Sequence, residues 1–428
     1  VFGSLWPDRS TLRFGLSFHI FYCVNFPLTK RLSCRSLLQF GGAAGLAGVL
    51  TPSVAAASNI SSPKIVNKYV RLGRTELRVS DVSFGSFALK TGEEGIVRHA
   101  LDAGINYFDT AESYTKGQAE QVIGNALKGV RDQVYIATKT VAASHADAAT
   151  LMRALEGSLT RLQTDYVDVY FNHAVNSVER LKNPGWGEFT ERALEQGKIR
   201  FTGMSGHGGY LIDCVDYAVE NDLADVMLLS QNFGQDPSFL EGMFKAFDFI
   251  AKVPGLPDAV ARAKKRDIGV MGMKILHGAK LNDMRPFETD DGTFAQAAIK
   301  WALSMDTVDG AVITMSNNDR VNEYVGASGG LVVTDYDRKL LEQYVQINDQ
   351  SYCRPACNDC TSACPAGVSI PDVLRMRMYA VNYGEPEIAR TEYGRLEDNA
   401  SPCLSCDGSP CANAVSYTHL TLPTKRIV

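Results

Sequence analysis

Long runs of Lys and Arg are missing from this chain of 428 residues, whose formal net charge is -5. Nucleic-acid binding depends on clustered positive charge that neutralises phosphates, so we expect no nucleic-acid partner. The chain also lacks a strongly apolar run of membrane-spanning length: the stretch "GGAAGLAGVL" is too short and too weak to cross a bilayer. The protein is therefore not expected to span a membrane.

Methionine is absent before Met152, and the N-terminal residues have the pattern of a leader. Residues 1–29 are interpreted as upstream or non-native translation. Residues 30–63 begin with basic residues, continue with Gly and Ala, and contain an A-x-A cleavage site at Ala55 to Ala57, which is typical of a signal peptide. Within them "SCRSLLQ" is similar to the twin-arginine consensus, with Cys34 in place of the first Arg. This predicts export to the periplasm or cell envelope; the alternative is a cytoplasmic protein with a disordered tail.

Short apolar strands alternate with amphipathic helices over residues 64–345. The strands "VSDVSFGSF", "INYFDTA", "VYIATKT", "YVDVYFNH", "IRFTGMS", "DVMLLSQNF", "IGVMGMKIL" and "GAVITMS" are each followed by a helical segment. Strict alternation with eight repeats predicts an α/β fold, a (β/α)8 TIM barrel. The alternative is an open doubly wound sheet, which usually has fewer repeats and a Gly-rich first turn.

Titratable residues occur where three neighbouring strands end. The second strand ends at Asp109, with Tyr114 in the following loop; the third ends at Lys139 and the fourth at His173. Each alone has a structural explanation, as a helix cap, a solvated lysine or a core histidine. Because active sites of such barrels lie at the C-terminal ends of the strands, the four together predict a catalytic site.

The four residue types suit acid catalysis beside a hydride donor. Tyrosine is a weak acid at neutral pH, and a nearby ammonium group is expected to lower its pKa. Lys139 is predicted to supply that charge and Asp109 to hold Lys139 in place. His173 would bind the carbonyl oxygen, and Tyr114 would protonate it.

The motifs "FDTAESY", "IATKT", "RLQTDYVDVYFNH" and "GKIRFTGMS", with the eight-strand layout, resemble the aldo/keto reductase superfamily. The family's catalytic tetrad falls on Asp109, Tyr114, Lys139 and His173. The resemblance implies a reductase that converts a small-molecule carbonyl compound, an aldehyde or ketone, to an alcohol. It also implies NADP(H), or NAD(H), bound without a Gly-rich loop.

The resemblance implies a set of cofactor contacts after the later strands. Ser205 is followed by Gly206, where the family usually has Asn, so that contact is lost or is supplied by His207. Whether "MSNNDRVNEY" favours NADPH or NADH stays open, because Tyr324 replaces the motif's closing Asn and its usual Lys is missing; an ordinary helix surface is the alternative there. The candidate cofactor-binding residues are Ser205, Asn232, Lys274, Leu276, Gly278, Ser316, Arg320 and Glu323.

Seven of the ten cysteines lie between positions 353 and 411. The first run, ending in Cys-Pro, differs by one extra residue from the bacterial ferredoxin pattern, whose thiolates bind [4Fe-4S] clusters. A closed zinc site is the alternative. Aldo/keto reductases with a ferredoxin-like C-terminal segment, some with a twin-arginine leader, are similar in layout. The candidate metal ligands are Cys353, Cys357, Cys360, Cys364, Cys403, Cys406 and Cys411.

The second cysteine run stops one ligand short. In two-cluster ferredoxins the fourth cysteine of each run binds the other cluster. By this rule Cys364 would join Cys403, Cys406 and Cys411 as the four ligands of one cluster. The ligand missing from the other cluster is due near position 415, where residues 415–428 resemble the translation of a sequencing adaptor. We therefore interpret residues 346–414 as a truncated segment that holds two clusters when intact; a naturally open site or three-iron cluster is the alternative.

Two other function classes stay open from the residues alone. The first is a nucleotide-binding redox sensor or electron-transfer module that no longer reduces carbonyl compounds, and the second is a zinc-stapled hydrolase on the same barrel. A redox partner protein is possible if electrons reach the clusters. The sequence determines neither the substrate nor the oligomeric state.

Overall fold

The computed structural model describes residues 65–235, 255–277, 284–330, 332–348, 353 and 355–414. The predicted leader (30–63), the residues before it, the predicted adaptor translation (415–428) and Gly278 lie outside these ranges. Across the described ranges no helix is both long and apolar enough to cross a membrane.

Eight parallel strands close into a barrel in the order β10-β3-β4-β5-β6-β7-β8-β9, which confirms the (β/α)8 prediction. Parallel pairing sets the register, for example Asp109 of β4 opposite Ala137 of β5 and Lys139 of β5 opposite Phe171 of β6. The barrel strands are β3 Val82–Gly85, β4 Tyr107–Asp109, β5 Tyr135–Thr140, β6 Val167–Asn172, β7 Ile199–Gly206, β8 Val226–Ser230, β9 Gly269–Met273 and β10 Gly310–Thr314.

Most barrel-strand residues are buried on both faces of the sheet because side chains alternate between two cores. In β6, Val169 and Phe171 belong to the cluster inside the barrel, while Tyr170 packs in the layer between strands and helices. This alternation explains why both faces of the strand carry apolar residues.

A two-stranded hairpin precedes the barrel. The sequence pattern did not distinguish its second strand from the first strand of the barrel. The segment predicted as one strand divides at Asp81 into β2 Arg78–Ser80, antiparallel to β1 Tyr69–Arg71, and barrel strand β3. The buried Asp81 carboxylate accepts hydrogen bonds from the Val82 backbone and the Ser328 hydroxyl. A side chain bonded in this way stabilises the break between the two strands.

Amphipathic helices surround the barrel, and further helices follow in the cysteine-rich part. Their apolar faces bury residues such as Leu155 and Phe189 against the strands. The described helices are α1 Glu94–Asp102, α2 Gln118–Ala126, α3 Ala148–Leu162, α4 Val178–Leu181, α5 Pro184–Glu195, α6 Leu211–Glu220, α7 Leu256–Lys265, α8 Phe294–Leu303, α9 Asn318–Val325, α10 Asp335–Asn348, α11 Ile370–Val381, α12 Pro386–Tyr393 and α13 Pro410–Asn413.

Removal of the capping hydroxyl of α8 is expected to lower the free energy of unfolding by about 1 kcal/mol. Thr293 Oγ1 accepts from the Gln296 backbone at 3.3 Å, and the Gln296 side chain accepts from the Thr293 backbone at 3.3 Å, which forms a capping box. Urea denaturation of Thr293→Ala measures the loss. The control is Thr160→Ala, whose exposed hydroxyl bonds only to the Glu156 carbonyl within α3. Equal effects of the two substitutions would contradict the capping assignment.

Candidate active site

The four tetrad residues come from adjacent strand ends of the barrel. Asp109 is the last residue of β4, Lys139 lies one residue before the end of β5, and His173 directly follows β6. Tyr114 begins a short turn in which Thr115 and Lys116 adopt positive φ angles of 48° and 60°. Because the strands are parallel, their C-terminal ends meet at one mouth of the barrel, as predicted.

Asp109 and Lys139 form a buried ion pair under that mouth. Lys139 Nζ donates to Asp109 Oδ1 at 2.7 Å and to the Thr110 carbonyl oxygen at 2.5 Å. The two side chains are only 4% and 1% exposed. Burial raises the pKa of Asp109 and lowers the pKa of Lys139, and the attraction between the two charges opposes both shifts.

The Tyr114 ring lies among the other tetrad members. Its centroid is 4.8 Å from Lys139 Nζ and 5.7 Å from the centroid of His173, which meets it edge-on. The predicted net lowering of the Tyr114 pKa is wrong: burial raises that pKa well above its usual value, and the Asp109 carboxylate raises it further. Desolvation of the buried phenolate outweighs the attraction of the Lys139 ammonium, whose charge is partly balanced by Asp109.

His173 is held neutral beside the tyrosine. Burial lowers its pKa well below 6.5, and the nearby charges of Lys139 and Arg180 lower it further. Among the described residues, Nδ1 of His173 has no hydrogen-bond partner. A neutral imidazole can donate from one nitrogen and accept at the other, so this ring is suited to orienting a carbonyl oxygen.

The tetrad lines a cavity of about 930 Å³ at the barrel mouth. Its volume is within the range of ligand sites. The same cavity is lined by five of the predicted cofactor-binding residues: Ser205, Lys274, Leu276, Ser316 and Arg320. His207, the candidate replacement for the family's Asn, lines it too. Catalytic and cofactor-binding candidates are therefore joined in one continuous space.

Two predicted cofactor residues do not line this cavity. Asn232 is fully buried, and its Oδ1 accepts from the Gly234 backbone at 3.2 Å and lies 2.7 Å from Nδ1 of His277. Glu323 pairs with Arg320 on the same helix. Asn232 thus contributes to the packing beneath the mouth, and Glu323 compensates the Arg320 charge.

The cysteine-rich part of the chain also contributes to the cavity, which the sequence pattern did not indicate. Helix α11, Ile370–Val381, lies over the mouth and is called the roof helix. Its residues Asp372, Met376 and Tyr379 line the cavity. Lys274 Nζ donates to the Tyr379 hydroxyl at 3.0 Å, so a predicted cofactor contact is bonded to the roof.

Thiols of the cysteine-rich part lie close together, and Cys411 is near Cys360 as well as near Cys403. Burial raises the pKa of Cys353 to about 12, and the adjacent Cys357 and Cys360 contribute to that rise. Burial also raises the pKa of Cys403, with a second set of three thiols adding to it, Cys364, Cys411 and Cys406. Within the described ranges, no group of three or more His, Cys, Asp or Glu side chains is arranged to hold a metal ion.

Acid pH is expected to destabilise the fold through His173. The unfolded chain takes up a proton near pH 6.5, whereas the folded chain holds this imidazole neutral until a much lower pH. The free energy of unfolding therefore decreases as pH falls below about 6.5, by up to about 1.4 kcal/mol per pH unit, until the folded-state pKa is reached.

Urea denaturation between pH 7.5 and pH 5 measures this dependence. The variant His173→Gln should show a shallower slope than the wild type, and His145→Gln, at an exposed position, should keep the wild-type slope. A wild-type slope in His173→Gln would refute the assignment.

Comparison with known proteins supports the barrel assignment. Residues 84–290 match the aldo/keto reductase family. The chain is 36% identical over 157 residues to the aldo-keto reductase YhdN of Bacillus subtilis, covering 32% of this chain and 46% of that protein. It is 37% identical over 113 residues to the methylglyoxal reductase YeaE of Escherichia coli, covering 26% of this chain and 38% of that protein. The chain thus spans less than half the length of either relative.

Solved structures show the same fold. An aldo-keto reductase from Bacillus halodurans in its holo form superposes with a TM-score of 0.51 at 23% identity, covering 64% of this chain and 95% of that one. An aldo-keto reductase from Klebsiella pneumoniae in complex with NADPH gives a TM-score of 0.50 at 24% identity, covering 66% and 95%. The likeness of this chain to the aldo/keto reductase family therefore covers residues 84–290 of the barrel.

Proposed function

We propose that the protein is an oxidoreductase that reduces an aldehyde or ketone to an alcohol with NADPH or NADH. The observation that carries the proposal is the single cavity lined by Asp109, Tyr114, Lys139 and His173 together with predicted cofactor residues. The two relatives, an aldo-keto reductase and a methylglyoxal reductase, are consistent with it.

The tetrad geometry supports an acid-catalysed reduction. The nicotinamide supplies a hydride to the carbonyl carbon when bound. Tyr114 donates its phenolic proton to the carbonyl oxygen, which becomes the alcohol hydroxyl, and neutral His173 orients that oxygen. Lys139 Nζ, 4.8 Å from the Tyr114 ring centroid, stabilises the phenolate that is left, and Asp109 holds Lys139 in position.

Arg320 is the candidate contact for the adenosine phosphate of NADPH. It already pairs with Glu323, and its backbone amide is bonded to the Asn317 side chain at the start of α9. A 2'-phosphate would have to compete with the Glu323 carboxylate for the guanidinium group. Both cofactors therefore stay in the proposal.

A fluorescence titration of the full chain with NADPH and NADH tests cofactor binding. Binding of either, followed by its aldehyde-dependent oxidation, supports the reductase. Binding without turnover supports the nucleotide-binding redox module instead. Absence of binding would refute both and direct attention to the cysteines.

We further propose that the cysteines hold iron-sulfur clusters. Seven thiols in a ferredoxin-like spacing have the donor chemistry that such clusters need. Cys364, Cys406 and Cys411 all lie near Cys403, which supports the assignment of these four thiols to one cluster. Cys353, Cys357 and Cys360 would hold the second cluster. Because burial raises the pKa of Cys353 and Cys360, cluster binding must displace thiol protons.

Analysis of iron and acid-labile sulfide in the anaerobically purified full chain tests the clusters. Iron and sulfide in similar amounts support them, whereas zinc without labile sulfide supports a zinc staple. Metal-free, fully folded protein would refute both. The proposed export through a twin-arginine-like leader, residues 30–63, is tested separately by the N-terminal mass of protein recovered from the cell envelope.

A further inference from the structure

We propose that Tyr379 of the roof helix determines substrate specificity and selects planar aromatic carbonyl compounds over aliphatic ones. The inference rests on the proposed reductase function and names the substrate class of the same cavity. It concerns an aromatic wall, defined as Phe87, Tyr379 and Tyr383, that runs from the catalytic tyrosine to the cysteine-rich part of the chain.

The aromatic wall is continuous with Tyr114. The Phe87 ring centroid lies 5.3 Å from that of Tyr114, with an interplanar angle of 75°, and 5.0 Å from that of Tyr379. Tyr383 lies 6.1 Å from Phe87 and 5.8 Å from Tyr379. All four rings line the cavity. A substrate whose carbonyl group lies at the Tyr114 hydroxyl therefore has the aromatic wall beside it in the same cavity.

Contacts from three strand-end loops fix the roof helix that carries Tyr379. Arg375 Nη2 donates to the His207 carbonyl oxygen at 2.5 Å, after β7, and Asn176 Nδ2 donates to Asp372 Oδ2 at 3.0 Å, after β6. Lys274, after β9, donates to the Tyr379 hydroxyl. A wall held in this way is formed before the substrate arrives, so little conformational entropy is lost on binding.

The chemistry of the wall favours a flat π system. Lys274 Nζ lies 4.7 Å from the Tyr379 ring centroid and donates to its hydroxyl, which holds the ring in place along the cavity. Offset-stacked and edge-to-face contacts between aromatic rings stabilise binding beyond the area that is buried. A saturated ring of the same size would gain only the burial.

The test compares NADPH-dependent reduction of benzaldehyde and cyclohexanecarbaldehyde, which share a carbon skeleton, by the full chain. Tyr379→Leu keeps an apolar side chain and removes the ring. We expect it to lower kcat/KM for benzaldehyde by about 10-fold, mainly through KM, and to change kcat/KM for cyclohexanecarbaldehyde by less than about 2-fold. Variant-to-wild-type ratios remove the intrinsic difference in reactivity between the aldehydes.

Two further variants distinguish the effect of the Tyr379 ring from a general effect of changing the roof helix. Tyr379→Phe keeps the ring and loses the bond to Lys274, so it should retain the aromatic preference. Arg377→Ala changes a half-buried residue of the roof helix that does not line the cavity, so it should behave as wild type.

Equal losses for both aldehydes in Tyr379→Leu, or no loss for either, would overturn the specificity proposal and leave the reductase intact. If the wild type binds NADPH but reduces neither aldehyde, the specificity proposal fails; the proposed function fails only if bound NADPH or NADH is not oxidised by any aldehyde or ketone.

Discussion

Tyr114→Phe is expected to lower kcat for aldehyde reduction by about 10²- to 10⁴-fold, the usual contribution of a positioned general acid. The substitution removes only the hydroxyl, so the ring keeps its contacts with Phe87 and His173. Because burial raises the pKa of Tyr114, the hydroxyl is protonated throughout the neutral range and serves as a donor. Steady-state kinetics with NADPH and an aldehyde measure the loss, and cofactor fluorescence should report unchanged binding.

The matched control is Tyr336→Phe. Its hydroxyl donates to the Gly292 carbonyl oxygen at 3.1 Å, and the residue does not line the cavity. We expect its kcat to equal that of the wild type. A wild-type rate in Tyr114→Phe would remove the tyrosine from the chemistry and favour a nucleotide-binding redox module.

The tetrad could be predicted from sequence because each of its residues is recognised by its position relative to a nearby strand. Asp109, Lys139 and His173 each follow an apolar run, and parallel strands of a closed barrel necessarily bring their C-terminal ends together. The barrel could be predicted because its eight strand and helix repeats can be counted along the chain. The alternation of apolar strands and helices therefore predicts where strands end, but it does not predict the paths of the loops.

The roof helix could not be predicted because its contacts join distant parts of the chain. The bond between Lys274 and Tyr379 spans 105 residues, and that between His207 and Arg375 spans 168. The hydrophobic periodicity of one segment does not indicate that it contacts the other. The same limit explains the error about Tyr114: its pKa depends on how completely the mouth is covered, which is a property of the assembled fold. The resemblance to the family gave Asn232 as a cofactor contact; in the fold its side-chain oxygen accepts from the Gly234 backbone, a bond that the strand pattern did not indicate.

Lys139→Met is expected to lower the free energy of unfolding by about 3–5 kcal/mol near neutral pH and to abolish reduction. Methionine fills a similar volume, but the Asp109 carboxylate then loses the buried ammonium 2.7 Å away. Urea denaturation measures the loss of stability, and kinetics with NADPH measure activity. A loss below about 1 kcal/mol would show that the pair is not desolvated as its burial implies.

The pH dependence of the same variant distinguishes an unpaired charge from a packing defect. Without Lys139, burial raises the pKa of Asp109 further above its unfolded value, so the folded state binds the proton more tightly than the unfolded chain. Stability is then present at acid pH and is lost as pH rises through the folded-state pKa, so the deficit should be smaller at pH 5 than at pH 8. The double variant Lys139→Met with Asp109→Asn removes the charge, and should recover part of the stability and lose this pH dependence. It should stay inactive, because no cation is left to stabilise the Tyr114 phenolate. A pH-independent deficit in the single variant would instead indicate that misfit of the methionine side chain, rather than the buried carboxylate, destabilises the barrel.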